Sequence, residues 1–220
     1  MDNKQNEKKP KSLSSYISSS NAPGKPPQTP QGPSPEDFNK IKEKIEAFKK
    51  SLMKKFSFTR FLGLIPAKAY PMFEEEEIPP EMQEEVKKNK PLHLIMIIPE
   101  EEYKEIAKIK PEVIHLAKES GEKLWVHIKT EIDLWNYGLD SKFHFLDAIS
   151  ASMPLHDTGF LGALRVANIH KSLVLNRFDR YIASYVIAGS LVRGTADETS
   201  DVDVFVVIDD TDVKRMSRIE

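Results

Sequence analysis

The residues best suited to chemistry lie near the C-terminal end of the chain. They read Gly189-Ser190-Leu191-Val192-Arg193-Gly194, five further residues, then Ser200-Asp201-Val202-Asp203-Val204 leading into the apolar run Phe205 to Ile208. A glycine at a strand end lets the backbone turn and brings its N–H close to a phosphate, and the adjacent serine adds a hydroxyl donor. A helix starting there would add its N-terminal dipole. Asp201 and Asp203 stand two apart, so on a strand both side chains leave the same face. Two carboxylates held that close repel, and a divalent cation beside them turns the arrangement favourable. Oxygen-only ligands select a hard cation, magnesium before others. Arg193 either reaches a phosphate or braces the loop, and the sequence leaves both roles open. Asp-x-Asp by itself carries little information, since Asp210-Thr211-Asp212 repeats it a few residues on.

These residues need strands to hold them. Tyr181 to Ala188 reads as a strand ending at Gly189, preceded by a helix that begins around Asp157-Thr158-Gly159 and ends before Phe178. Further upstream, Leu92 to Ile98 is a buried-type strand, Glu100 to Lys118 is helical with Pro111 as an interruption, and Leu124 to Lys129 is another strand. Glu131 to Tyr137 and Phe145 to Ser152 form short helices around a turn at Gly138. A longer helix opens at Ser34-Pro35-Glu36-Asp37, with serine as N-cap and proline at the first helical position, and runs to about Phe56. Its apolar stripe, from Phe38 through Ile41, Ile45, Phe48 and Leu52 to Phe56, is flanked by lysines. It packs on the folded part or on a partner helix, with an anionic membrane or nucleic acid as the competing surfaces. Phe58 to Phe73, broken by Gly63, Pro66 and Pro71, reads as a connector.

The resulting organisation is a Ser/Pro-rich disordered tail (1–35), an amphipathic helix and connector (36–90), an α/β module (91–158), and a C-terminal unit (159–220). The tail holds seven of the fifteen prolines and too little apolar surface to offset the entropy of ordering. With 40% hydrophobic residues in 220, the chain can build a real core. A net charge of −2 supplies no global basic surplus for nucleic acid. The absence of cysteine excludes disulfides, thiolate metal sites and cysteine nucleophiles, and fits a cytoplasmic setting. No leader-like apolar region and no run long enough to span a membrane are visible.

The pattern of Gly-Ser, ten intervening residues and Asp-x-Asp resembles the nucleotidyltransferase superfamily of the DNA polymerase β type. It is most similar to the minimal prokaryotic members, in which Arg-Gly follows Gly-Ser and a serine precedes the first aspartate. The resemblance implies an α/β fold with a partial polymerase-β-like core preceded by a second α/β module. It further implies that Gly189, Ser190 and Arg193 hold a nucleoside triphosphate, and that Asp201 and Asp203 are catalytic and bind two magnesium ions. The implied reaction is in-line transfer of a nucleoside monophosphate to an acceptor hydroxyl with release of pyrophosphate. The acceptor, whether protein, RNA or small molecule, is not specified by the fold. Since minimal members include antitoxins, a small helical partner protein belongs to one alternative reading. A nucleotide-binding pseudoenzyme is another.

One departure stands out. The family uses a third carboxylate on a later strand, and only seventeen residues follow Asp203. Asp209, Asp210 and Asp212 supply carboxylates by composition but sit at the end of the same strand. The expectation is therefore that the sequence is the first part of a longer protein and that this product binds nucleotide weakly and turns over poorly. Residues 92–104 also run parallel to 202–214 at a shift of 110, with Pro91 and His93 in place of Asp201 and Asp203. This raises the hypothesis that the 91–158 module is a degenerate copy of the catalytic one. The six histidines show no metal-ligand spacing and are assigned to core or surface, with His127 and His156 of interest only if they line a pocket. Trp125, Trp135 and Tyr137 are read as core residues rather than base-stacking platforms.

Overall fold

A computed structural model describes the backbone at residues 35–193, 195 and 199–209, and the side chains at those positions other than 35–38, 80, 82 and 85–87. The N-terminal tail, Gly194, Asp210 and Asp212 lie outside the described residues.

The long helix α1 (Pro35–Lys55) starts at the expected proline. Its stripe of Ile45, Phe48 and Leu52, continued by Phe56, is buried. It packs against the sheet and a neighbouring helix, while the lysines flanking it stay largely exposed. Among the described residues the main sheet has four strands in the order β3-β2-β1-β4, with β1 at Phe61–Leu64, β2 at Leu92–Ile98, β3 at Leu124–Thr130 and β4 at Met153–Asp157. β1 runs antiparallel to both β2 and β4, with Leu62 opposite Met96 and His156. β2 and β3 are parallel, with Leu92 opposite Leu124 and Ile98 opposite Thr130.

Alternation along the inner strands builds two cores. Leu62, Leu94, Met96 and Ile98 face α1 and the helix α4 (Ile106–Glu119), meeting Phe48, Leu52, Ile109, Val113 and Ala117. Phe61, Ile95 and Ile97 face the opposite way, joining Phe73, Leu134, Phe145, Ile149, Phe160 and Leu164. That second layer consists of α2 (Tyr70–Glu77), α5 (Glu131–Leu139), α6 (Phe143–Ser150) and α7 (Phe160–Phe178); a further helix, α3 (Pro80–Asn89), follows α2. Each fully buried large apolar side chain contributes about 1.5–3 kcal/mol relative to exposure. β2, apolar on both faces, is the strand most completely covered.

Three expectations change. The stretch read as a connector supplies β1, an inner strand, so the sheet begins before the boundary at residue 91. Gly63 signalled a break, but here the ring of Phe61 lies over it in the space a Cβ would occupy. Met153–Asp157, not expected as a strand, is an edge strand, where Pro154 costs no inner ladder bond. Gly138 lies inside α5, and the chain turns instead at Asp140 to Lys142, where Ser141 takes φ 58°. Among the helix starts, Thr130 and Asp133 form a capping box for α5, and the Asp157 carboxylate accepts from the N–H groups of Gly159, Leu161 and Gly162 ahead of α7.

After α7 the chain forms a two-stranded antiparallel sheet, β5 (Ile182–Ala188) and β6 (Asp203–Ile208). The molecule is thus α/β, as expected, and its four-stranded sheet is mixed. β2 and β6 each pair antiparallel with the strand before them; β2 also has β3, whereas β6 has no second neighbour among the described residues.

Candidate active site

The hairpin register sets Ala188 opposite Asp203, Ile187 opposite Val204 and Val186 opposite Phe205. Gly189 follows with φ +77°, a left-handed conformation that favours glycine. A Cβ at this position would collide with the carboxylate of Asp203. The motif's glycine and its second aspartate are therefore in direct juxtaposition, and both the backbone angle and the available space exclude a larger residue. Beyond Gly189 the chain folds into a turn in which the Arg193 N–H donates to the Gly189 carbonyl at 3.2 Å and the Thr195 N–H donates to the Ser190 carbonyl at 3.0 Å. This turn is not an α-helix, so no helix dipole is added among the described residues. Leu191, at its centre, is fully buried in the same cluster as Leu134, Phe160 and Leu161.

β6 begins at Asp203, not at Asp201 as the strand reading required. Exposure nevertheless alternates from 201 through 207, and Val202 packs against the core cluster, which places Asp201 and Asp203 on the side facing away from it. Both carboxylates are exposed and form no ion pair among the described residues. Arg193 is exposed in the same turn and Ser190 is partly buried. Oxygen donors without a neutralising cation fit a hard divalent ion. No group of three or more candidate ligands assembles among the described residues. Asp209 does not complete one: its N–H donates to the Tyr181 carbonyl at the far end of the hairpin, six residues and roughly 20 Å from Asp203 at strand spacing.

Sequence reasoning did not find a second polar constellation, inside the four-stranded sheet. His93 and His127, on adjacent strands, are both buried, with His93 Nδ1 3.0 Å from His127 Nε2. His127 Nδ1 donates to Glu77 at 2.7 Å, and Lys129 reaches the other Glu77 oxygen at 2.8 Å. The Tyr137 hydroxyl donates to Glu76 at 2.6 Å, and the Tyr70 ring stacks on His93 at 4.1 Å. Burial pushes the Glu77 carboxyl up, yet the hydrogen bond and charge of His127 together with Lys129 outweigh it and bring it to about 2. Burial and the neighbouring His127 lower His93 to about 4. His93 Nε2 forms no hydrogen bond, although Glu74 Oε1 lies 3.4 Å away. The available signal was the acidic run Glu74 to Glu77, just past the stretch read as a connector; it lies in α2 and supplies these carboxylates.

Glu131 is a further buried acid. Burial pushes it up to about 7, Glu101 and Glu100 add to this, and Arg60, 3.7 Å away, opposes it. Trp135 and Tyr137 are packed against the core, as expected, Tyr137 stacking on Phe145 at 4.4 Å. His156 lies in β4 and takes no part in either constellation.

No helix among the described residues is long and apolar enough to cross a membrane. No curated protein and no solved structure matches the chain. Residues 169–219, which run from within α7 through β5 and the Gly189 turn to β6 and beyond, match the family model of the nucleotidyltransferase domain, a match that supports placing this segment in the nucleotidyltransferase superfamily.

Proposed function

We propose that this protein carries out magnesium-dependent transfer of a nucleoside monophosphate from a nucleoside triphosphate to an acceptor hydroxyl, a specific form of the nucleotidyl transfer that the family match supports. The observation that supports the reading is the close approach of the Asp203 carboxylate to the Gly189 backbone, the two positions to which the reading assigns metal binding and phosphate binding. In this reading Gly189 and Ser190 bind the triphosphate through backbone N–H and hydroxyl donors, and Arg193, free of ion pairs among the described residues, screens its charge. Asp201 and Asp203 hold magnesium, which supplies charge neutralisation at the phosphates and activation of the acceptor oxygen.

The test incubates the protein with each α-labelled nucleoside triphosphate, with and without magnesium, against protein, RNA and small-molecule acceptors. Magnesium-dependent label transfer lost in Asp203→Asn supports the proposal; transfer unaffected by that substitution refutes it. A second reading, a nucleotide-binding protein with an incomplete active site, is favoured by the lack of a third carboxylate among the described residues. It predicts saturable binding of the triphosphate with no label transfer to any acceptor.

A further inference from the structure

Strand β3 ends the four-stranded sheet on one side. Its pairing with β2 uses one row of backbone groups, and the other row has no strand partner among the described residues. Along this open edge lies a cavity of about 520 Å³, within the range of about 300–1,000 Å³ typical of ligand sites. Leu124, Trp125, Val126 and Ile128, four residues of the edge strand itself, form its floor. Val113, Ile114 and Ala117 of α4 wall it on one face, and Pro79 on the other. Exposed edges are ordinarily blunted by a proline, a bulge or an outward lysine. β3 carries neither proline nor bulge, and its one lysine, Lys129, is engaged by Glu77.

The charges around the slot are unbalanced. Of the two carboxylates that line it among the described residues, Glu77 is held by Lys129 and His127, and Glu122 by Lys44 at 3.2 Å. Lys110, Lys118 and Lys123 also line the cavity, and none of them forms an ion pair among the described residues. The rim therefore presents positive charge over an apolar floor beside unpaired strand N–H and C=O groups.

We propose that β3 is a docking edge for an extended peptide of a partner protein, apolar at alternate positions and flanked by acidic residues, which adds as a fifth strand. Main-chain bonds to β3 supply affinity, the side chains facing α4 fill the slot, and the acidic flanks meet the three lysines. A compact small molecule would satisfy the apolar walls but leave the backbone row unpaired.

The protein contains two tryptophans, so Trp135→Phe leaves Trp125 in the slot as the sole reporter. The probe is a capped peptide of alternating valine and threonine with two aspartates at each end. Its expected effect is a saturable change in Trp125 emission, together with slowed amide exchange at residues 124–128 in the wild-type chain. The Lys118→Glu, Lys123→Glu double variant weakens binding about three- to tenfold. A peptide with lysines in place of the aspartates, or one N-methylated at alternate backbone positions, fails to bind. Equal binding of the N-methylated peptide, or no saturable binding by the aspartate peptide up to its solubility, overturns the proposal. So does a wild-type dimer whose residues 124–128 are already protected, since the occupant is then a second copy.

Discussion

β2 and β6 each pair antiparallel with the strand before them, and each carries a polar side chain near its start, but the surroundings of the two differ sharply. His93 is sealed inside a sheet covered on both faces, tied to His127 and through it to Glu77 and Lys129. Asp203 lies in the open, next to a glycine backbone, in a hairpin whose Phe205, Val207 and Ile208 are about half exposed or more. A polar group removed from water has to find its partners within the protein, so the first set serves stability. An exposed carboxylate without an ionic partner has its charge available to a ligand. The prediction is that substitutions in the first region change stability, whereas substitutions at the second change activity.

The sharpest way to break this comparison is His127→Ala, which strips Glu77 and His93 of their shared partner. It should cost about 3–5 kcal/mol in urea unfolding; a cost under about 1 kcal/mol would show that the network is not structural. Leu191→Ala should cost about 2–5 kcal/mol, because it opens a cavity in the main core, and it should lower nucleotide transfer as the turn loosens.

Glu131→Gln tests the buried acid through pH. The folded-state pKa of about 7 stands above the ordinary 4.5, so the folded protein retains a proton that the unfolded chain releases, and stability falls as pH rises between those values. The variant should therefore be more stable than wild type at pH 8, by up to about 3 kcal/mol, with the difference vanishing below pH 4.5 in parallel melts. Gly189→Ala should cost about 1–3 kcal/mol from the positive φ and the collision with Asp203, and should impair transfer more than the stability loss explains. Asp203→Asn should change stability by no more than about 0.5 kcal/mol while reducing transfer at least about a hundredfold. A large loss of stability there would mean that Asp203 is a structural residue like His93.

Much of this architecture was legible because its signals are local. α1, β2, α4, β3, α7 and β5 follow from apolar periodicity bounded by caps and breakers, and the Gly-Ser and Asp-x-Asp spacing located the hairpin that brings Gly189 to Asp203. β1 and β4 were missed because Gly63 and Pro154 argue against strands, and only tertiary context, a ring over one and a sheet edge for the other, makes them acceptable. The histidine network was invisible for another reason: His127 is thirty-four residues from His93 and fifty from Glu77, a separation that no local pattern encodes. Asp201 was read as a strand residue from its spacing, and it falls just outside because ladder pairing begins at Asp203 opposite Ala188.

Leu191 ties the motif's turn into a core assembled mainly from residues more than twenty positions earlier, among them Phe61, Leu134 and Phe160. The segment matched as a nucleotidyltransferase domain starts at residue 169, after all of these. Grafting that segment alone onto another scaffold would carry the signature while discarding the bed in which its loop is seated. In recombination or engineering, the smallest portable unit is the hairpin together with the layer of helices beneath it.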